Sequence, residues 1–159
     1  MDDAPVLALV SRVIHDLRTV IRADRHEVHE LLLVEQGLYR CQLAQATVDA
    51  HPGQAVVHPA GTVHRPLMPP DSTVRFLVVQ WRGACPWPAG TVVDDPARRL
   101  LLLGQWMLDL VPQATDAATA PLLGHLLATL LAATGRLATG ASDGDHPVER
   151  ARAFLLANL

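Results

Sequence analysis

The sequence predicts a mainly β domain, a sandwich or small barrel, followed by an α-helical hairpin. Three observations carry this. Up to about residue 92 short apolar runs alternate with turn residues; after it the texture becomes helical; and one turn, "HPGQAVVHPAGTVHRP", delivers a histidine at fixed offsets from glycine and proline.

The β part comes first. "VIHDLRTVI", "HELLLVEQ", "LYRCQL", "QAVVH" and "STVRFLVVQW" have strand length, and "QG", "HPGQ", "PAGT" and "MPPDS" separate them. Short strands at close spacing with glycine and proline turns argue for a sandwich or barrel. In residues 51–66 Gly53 ends a turn, "QAVVH" reads as a strand, and Pro59 and Gly61 turn the chain again before His64. Glycine reaches backbone angles closed to other residues, and proline cannot donate to a sheet ladder.

The helical part follows "WRGACPWPAGTVV". "DDPARRLLLLGQWMLDLVPQ" offers a capping aspartate with Pro96 at the first helical position. "ATAPLLGHLLATLLAATGRLATG" repeats the device, with Thr119 as cap and Pro121 in the first turn. Leu123, Leu126, Leu127, Leu130, Leu131 and Leu137 recur at threes and fours, and Leu122 widens the stripe. That width exceeds what one contact with a barrel needs, so a homodimer seam centred on Leu123, Leu127 and Leu130, with Leu137 nearer its end, is expected. "TGASDGDHP" reads as a linker, and "VERARAFLLANL" begins another amphipathic helix. The expected division is 1–92 for the barrel, 93–139 for the hairpin and 140–159 for the linker with the start of a further domain.

Composition excludes several functions. The chain has 159 residues, half of them hydrophobic, which suits one domain with a real core. All 13 basic residues are arginine, and the net charge of −3 argues against grip on nucleic acid by this chain alone. Two cysteines, Cys41 and Cys85, support neither a disulfide framework nor a cysteine-based zinc site. The acidic N-terminus does not resemble a signal peptide, and no run of the ~18 apolar residues that a membrane span needs is evident. A cytoplasmic protein without membrane contact is expected.

Candidate chemistry lies in "RADRHEVHELLLVEQGLYR". In an extended strand Asp24, His26, Val28 and Glu30 share one face, and His29 points the other way with Leu31 and Leu33. If the first face lines a barrel, its charges need pairing or a metal. His64 would add a fourth N/O donor. His58 and His29 read as packed or solvated, His125 as partly exposed, and His15, His51 and His146 as surface residues. Arg40, Arg75 and Trp81 are candidates for a ligand pocket suited to an anionic, aromatic or sugar-like molecule.

"HEVHELLLVEQG" and "GQAVVHPAGTVH" together resemble the two motifs of the cupin superfamily, in order and at similar distance. The resemblance, whose motifs cover roughly residues 20–70, implies a double-stranded β-helix, or jelly-roll, barrel. It also implies a divalent metal (Zn, Fe, Mn or Ni) held by His26, Glu30 and His64. Asp24 stands where the first motif has its first histidine, and Met68 where an asparagine follows the last one. Aspartate remains a competent ligand. The glycines and proline serve the fold with or without metal.

A cupin barrel, two helices and a segment like "VERARAFLLANL" further resemble the sensor region of AraC-type bacterial transcription regulators. That resemblance implies a ligand-sensing, dimerising domain rather than an enzyme. A small effector would enter the barrel and order or displace an N-terminal arm (residues 1–12), and DNA would be bound only through a C-terminal helix-turn-helix region beyond this chain. The alternative is a small metal-dependent cupin enzyme, a dioxygenase or isomerase, using His26, Glu30, His64 and Asp24.

Overall fold

The computed structural model describes residues 4–16, 22–67 and 72–140. Nine strands are described: β1 Val6–His15, β2 Asp24–Arg25, β3 His29–Gln36, β4 Tyr39–Gln42, β5 Thr47–Ala50, β6 Gln54–His58, β7 Val63–Leu67, β8 Val74–Arg82 and β9 Thr91–Asp94. They form two antiparallel sheets, β1-β8-β3-β6-β9 and β2-β7-β4-β5. Two helices follow, α1 Arg99–Leu110 and α2 Thr119–Ala138. The fold is thus the expected mainly β barrel with a helical hairpin.

The larger sheet is apolar on both faces, and this explains its sequence. Between the sheets lie Leu32, Val34, Tyr39, Cys41, Val56, Val74, Phe76 and Val78. On the opposite face Leu31, Leu33, Val57, Leu77, Val79 and Trp81 pack with Leu100, Met107, Leu123, Leu127 and Leu130 of the helices. A strand buried on both sides reads as a continuous apolar run, because alternation needs one wet face. Gly104 lets α1 settle on the sheet: a Cβ there would meet Leu33 Cδ1 at 2.7 Å.

Several expectations are corrected. Leu123, Leu127 and Leu130 are buried against the barrel, and Leu137 packs partly buried beside them, so they are not the face of a dimer seam. The apolar positions that α2 leaves outward include Leu122, 46% exposed. Residues 6–12 are not a loose arm; they belong to β1, which pairs with β8 from Val6↔Arg82 to His15↔Val74. The stretch from Asp24 to Glu30 is not one strand, since the chain leaves β2 after Arg25 and enters β3 only at His29. The barrel sheet also gains β9, which reaches Asp94 and pairs with β6.

The helix starts shift as well. α1 begins at Arg99, after Arg98 takes a left-handed φ of 54°, and the Asp95 carboxylate accepts from the Leu100 N–H at 2.7 Å. Thr119 is the first residue of α2 rather than its cap, and its hydroxyl donates to Asp116. By length and composition α2 is apolar enough to cross a membrane, contrary to the reading of the sequence. Its leucine row nevertheless lies in the core of this fold. Cys41 and Cys85 are free thiols. Met68, His146 and the 141–159 segment lie outside the described residues.

Candidate metal centre

Gly53 (φ 87°) sits within the turn closed by the Gln54 N–H donating to the His51 carbonyl, and β6 then runs from Gln54 to His58. Thr62 N–H donates to the Pro59 carbonyl, closing the tight turn in which Gly61 takes φ 80°. The Gly61 N–H donates to the His26 carbonyl at 2.8 Å, so the turn is tied to the segment carrying the other histidine. β7 begins two residues later and points His64 between the sheets.

His29 fixes this turn from the outside. Its Nδ1 accepts from the Ala60 N–H at 2.9 Å, so its Nε2 carries the proton and donates to the Gly83 carbonyl at 2.8 Å. The ring also lies 5.2 Å from that of Trp81. His29 is a structural clamp.

Inside the barrel, His26, Glu30 and His64 bring one ligand atom each within 4.8 Å of one another. Glu30 Oε1 lies 3.5 Å from His26 Nε2, and Glu30 Oε2 lies 3.4 Å from His64 Nε2. His64 Nδ1 donates to the Thr62 carbonyl at 3.2 Å, which leaves Nε2 with its lone pair toward Glu30. Ligands on a transition ion with bonds near 2.0–2.2 Å sit about 3.0–3.5 Å apart, so two of the three separations already suit an ion. Glu30 is 5% exposed, and its hydrogen-bond donor is the Gln80 amide at 3.1 Å. Among the described residues its ion-pair partners are the two histidines alone. A buried carboxylate without arginine or lysine beside it is costly, and a divalent cation would remove that cost. The donor set fits a metal. His26, Glu30 and His64 would hold it, and it would supply Lewis-acid or oxygen-activating chemistry.

Asp24 stands apart from this trio. Its side chain is 62% exposed, and Oδ2 lies 3.7 Å from His26 Nε2 while Oδ1 accepts from the Arg25 N–H. It lines the mouth of the cavity across the ladder from His64. The cavity measures about 520 Å³ and runs from this centre between the sheets along β1.

The expected ligand-pocket residues do not reach that cavity. Arg40 makes a two-bond pair with Asp49 on the outer face of β4 and β5 (2.6 and 2.7 Å). Arg75 pairs with Glu35 at 2.8 Å on the far face of the larger sheet, where Arg12 also binds Glu35. Trp81 is fully buried among the helices and donates to the Ala84 carbonyl. The physical reason is parity: Phe76, Val78 and Gln80 point into the barrel, so Arg75 and Trp81 cannot.

Other groups were missed. His58, paired across the ladder with Glu30, stacks on His64 with ring centres 4.4 Å apart and planes 6° from parallel. Its Nε2 lies 3.3 Å from the Tyr39 hydroxyl, while Nδ1 is buried without a partner. Burial, with the nearby His64 and His26, pushes its pKa down to about 3, so it is neutral. Burial also raises the Tyr39 phenol and the Cys41 thiol, keeping both protonated. His15 is half-buried at the cavity wall, edge-on to Phe76, and burial lowers its pKa. The available signal for His58 and Gln80 was parity with Val56 and Phe76; for His15 none was evident.

Residues 17–80 match the family model described as "Cupin domain" (Cupin_2). No curated protein matches the chain at a significant level. Among solved structures the chain is similar to the DMSP lyase DddQ from Ruegeria pomeroyi DSS-3, with 21% identity, 50% of this chain and 40% of that chain covered, and TM-score 0.42. It is also similar to the EutQ protein of Clostridium difficile (18% identity, 45% and 56% covered, TM-score 0.38). A third match is the polyketide cyclase RemF from Streptomyces resistomycificus (26% identity, 48% and 55% covered, TM-score 0.35). The chain thus spans about 40% of DddQ and about half of the other two. The AraC-type resemblance gains no support from these matches. The expectation that the chain is not an enzyme is corrected: the barrel holds a histidine–glutamate–histidine set compatible with an enzymatic role. The cupin-domain match covers 64 of the chain's 159 residues.

Proposed function

We propose that the chain is a small metal-dependent cupin enzyme acting on a small molecule in the barrel. The observation that carries this is the His26–Glu30–His64 set lining a cavity of about 520 Å³. Two histidines and one carboxylate leave further coordination positions on a six-coordinate ion, which suits substrate or oxygen chemistry at iron or a Lewis-acid role at zinc or manganese. The dioxygenase and isomerase readings both use this centre. Equilibrium dialysis of metal-stripped protein against Fe²⁺ (without oxygen), Zn²⁺ or Co²⁺ tests it. The wild type should bind about one equivalent, and His26→Ala, Glu30→Gln and His64→Ala should each lose it. Equal retention in all three variants would overturn the reading.

A second reading keeps the barrel as the sensor of an AraC-type regulator that dimerises through its helices. What favours it is a groove of about 330 Å³ between α1 and α2, lined by Trp106, Leu110, Leu122 and Leu126. Trp106 is 55% exposed there, an unusual place for a large apolar ring. Sedimentation equilibrium should then find a wild-type dimer and a folded Trp106→Glu, Leu122→Glu monomer; a wild-type monomer would remove this reading.

A further inference from the structure

We propose that the cavity selects a small amphiphilic anion, with an oxygen-donor head such as a carboxylate at the metal end and an aryl or short alkyl body beyond it. This rests on the metal-centre reading. The pairing register sets the inner wall in layers: Glu30 is opposite Gln80, then Leu32 opposite Val78, then Val34 opposite Phe76. β1 adds Ser11 beside Val78 and Val13 beside Phe76. From Gln80 to Phe76 is four residues, about 13 Å of strand, and over that length the wall passes from carboxylate and amide to hydrocarbon.

Each end constrains the ligand. A divalent ion bound by one carboxylate and two neutral histidines keeps a net charge of +1, so an anionic head is preferred to a neutral or cationic one. Arg22 and Asp24 at the mouth offset each other. Further in, Val13, Leu32, Phe76 and Val78 present hydrocarbon and Ser11, His15 and Tyr39 are the polar groups, so a hydroxyl-rich body would leave most of its hydroxyls unpaired, which is unfavourable. A cavity of this size accommodates a ring with a short chain.

Titration calorimetry and the visible spectrum of Co²⁺-loaded full chain test this with acetate, 4-phenylbutyrate, 4-phenylbutylamine and gluconate. 4-Phenylbutyrate should bind about tenfold or more tightly than acetate and alter the cobalt spectrum; the amine and gluconate should do neither. Val13→Asn, on the half-buried edge strand, should erase most of the 4-phenylbutyrate advantage and leave acetate unchanged. If that variant fails to fold, Ser11→Val should instead increase the advantage. Acetate or gluconate binding as tightly as 4-phenylbutyrate would overturn the substrate class while leaving the metal centre standing. Failure to bind Co²⁺ would overturn both.

Discussion

At His58 the barrel interior imposes a protonation state. Its native pKa, pushed down to about 3, lies below the ordinary value of 6.5. Between those values the unfolded chain binds a proton that the native metal-free chain does not, so stability rises with pH there. It is complete above about pH 6.5 and is lost on acidification, by up to ~1.4 kcal/mol per pH unit from this group. Urea midpoints of metal-free protein at pH 7 and pH 5 should therefore fall more steeply in the wild type than in His58→Leu; parallel slopes would contradict the assignment. His29 acts differently, through the Ala60 and Gly83 backbones. His29→Ala should lower the melting temperature and weaken Co²⁺ binding about tenfold by calorimetry, since a group that orients ligands matters nearly as much as the ligands. The residues of the centre were legible because a polar trio stands out against apolar strands. His58 was not, because a buried neutral histidine leaves the same trace in a sequence as a solvated one.

The elements show where periodicity misleads. Leucines at threes and fours on α2 are satisfied equally by a barrel and by a partner helix, and only the tertiary structure decides; here the barrel takes Leu123, Leu127 and Leu130. Leu127→Ala should cost about 2–5 kcal/mol in denaturant unfolding, the range for a buried leucine. A Leu127→Glu, Leu130→Glu double variant should lose its native circular dichroism rather than become a folded monomer. β8 repeats the lesson. Because the helices cover its outer face, Val74–Trp81 carries hydrophobic side chains on both sides, and alternation could not say which face held the cavity. Strand existence was legible from glycine and proline punctuation. The break between β2 and β3 was not, since "RHEV" carries no turn residue.

Across the whole molecule, two sheets enclose one polar centre and one helical pair closes the outer face of the larger sheet. The order of the two histidine-bearing motifs made this architecture readable, because each motif supplies a turn and an inward donor. A bound metal should stabilise the native state by mass action, about 2.7 kcal/mol at a free concentration 100 times the dissociation constant. The melting temperature should rise on adding Co²⁺ and fall back with chelator. The most direct measurement is anomalous diffraction at the cobalt edge from crystals grown with Co²⁺. The account predicts one strong peak between His26 Nε2, the Glu30 carboxylate and His64 Nε2, within about 2.3 Å of each. A barrel without that peak, or with the cobalt held elsewhere on the chain, would contradict it.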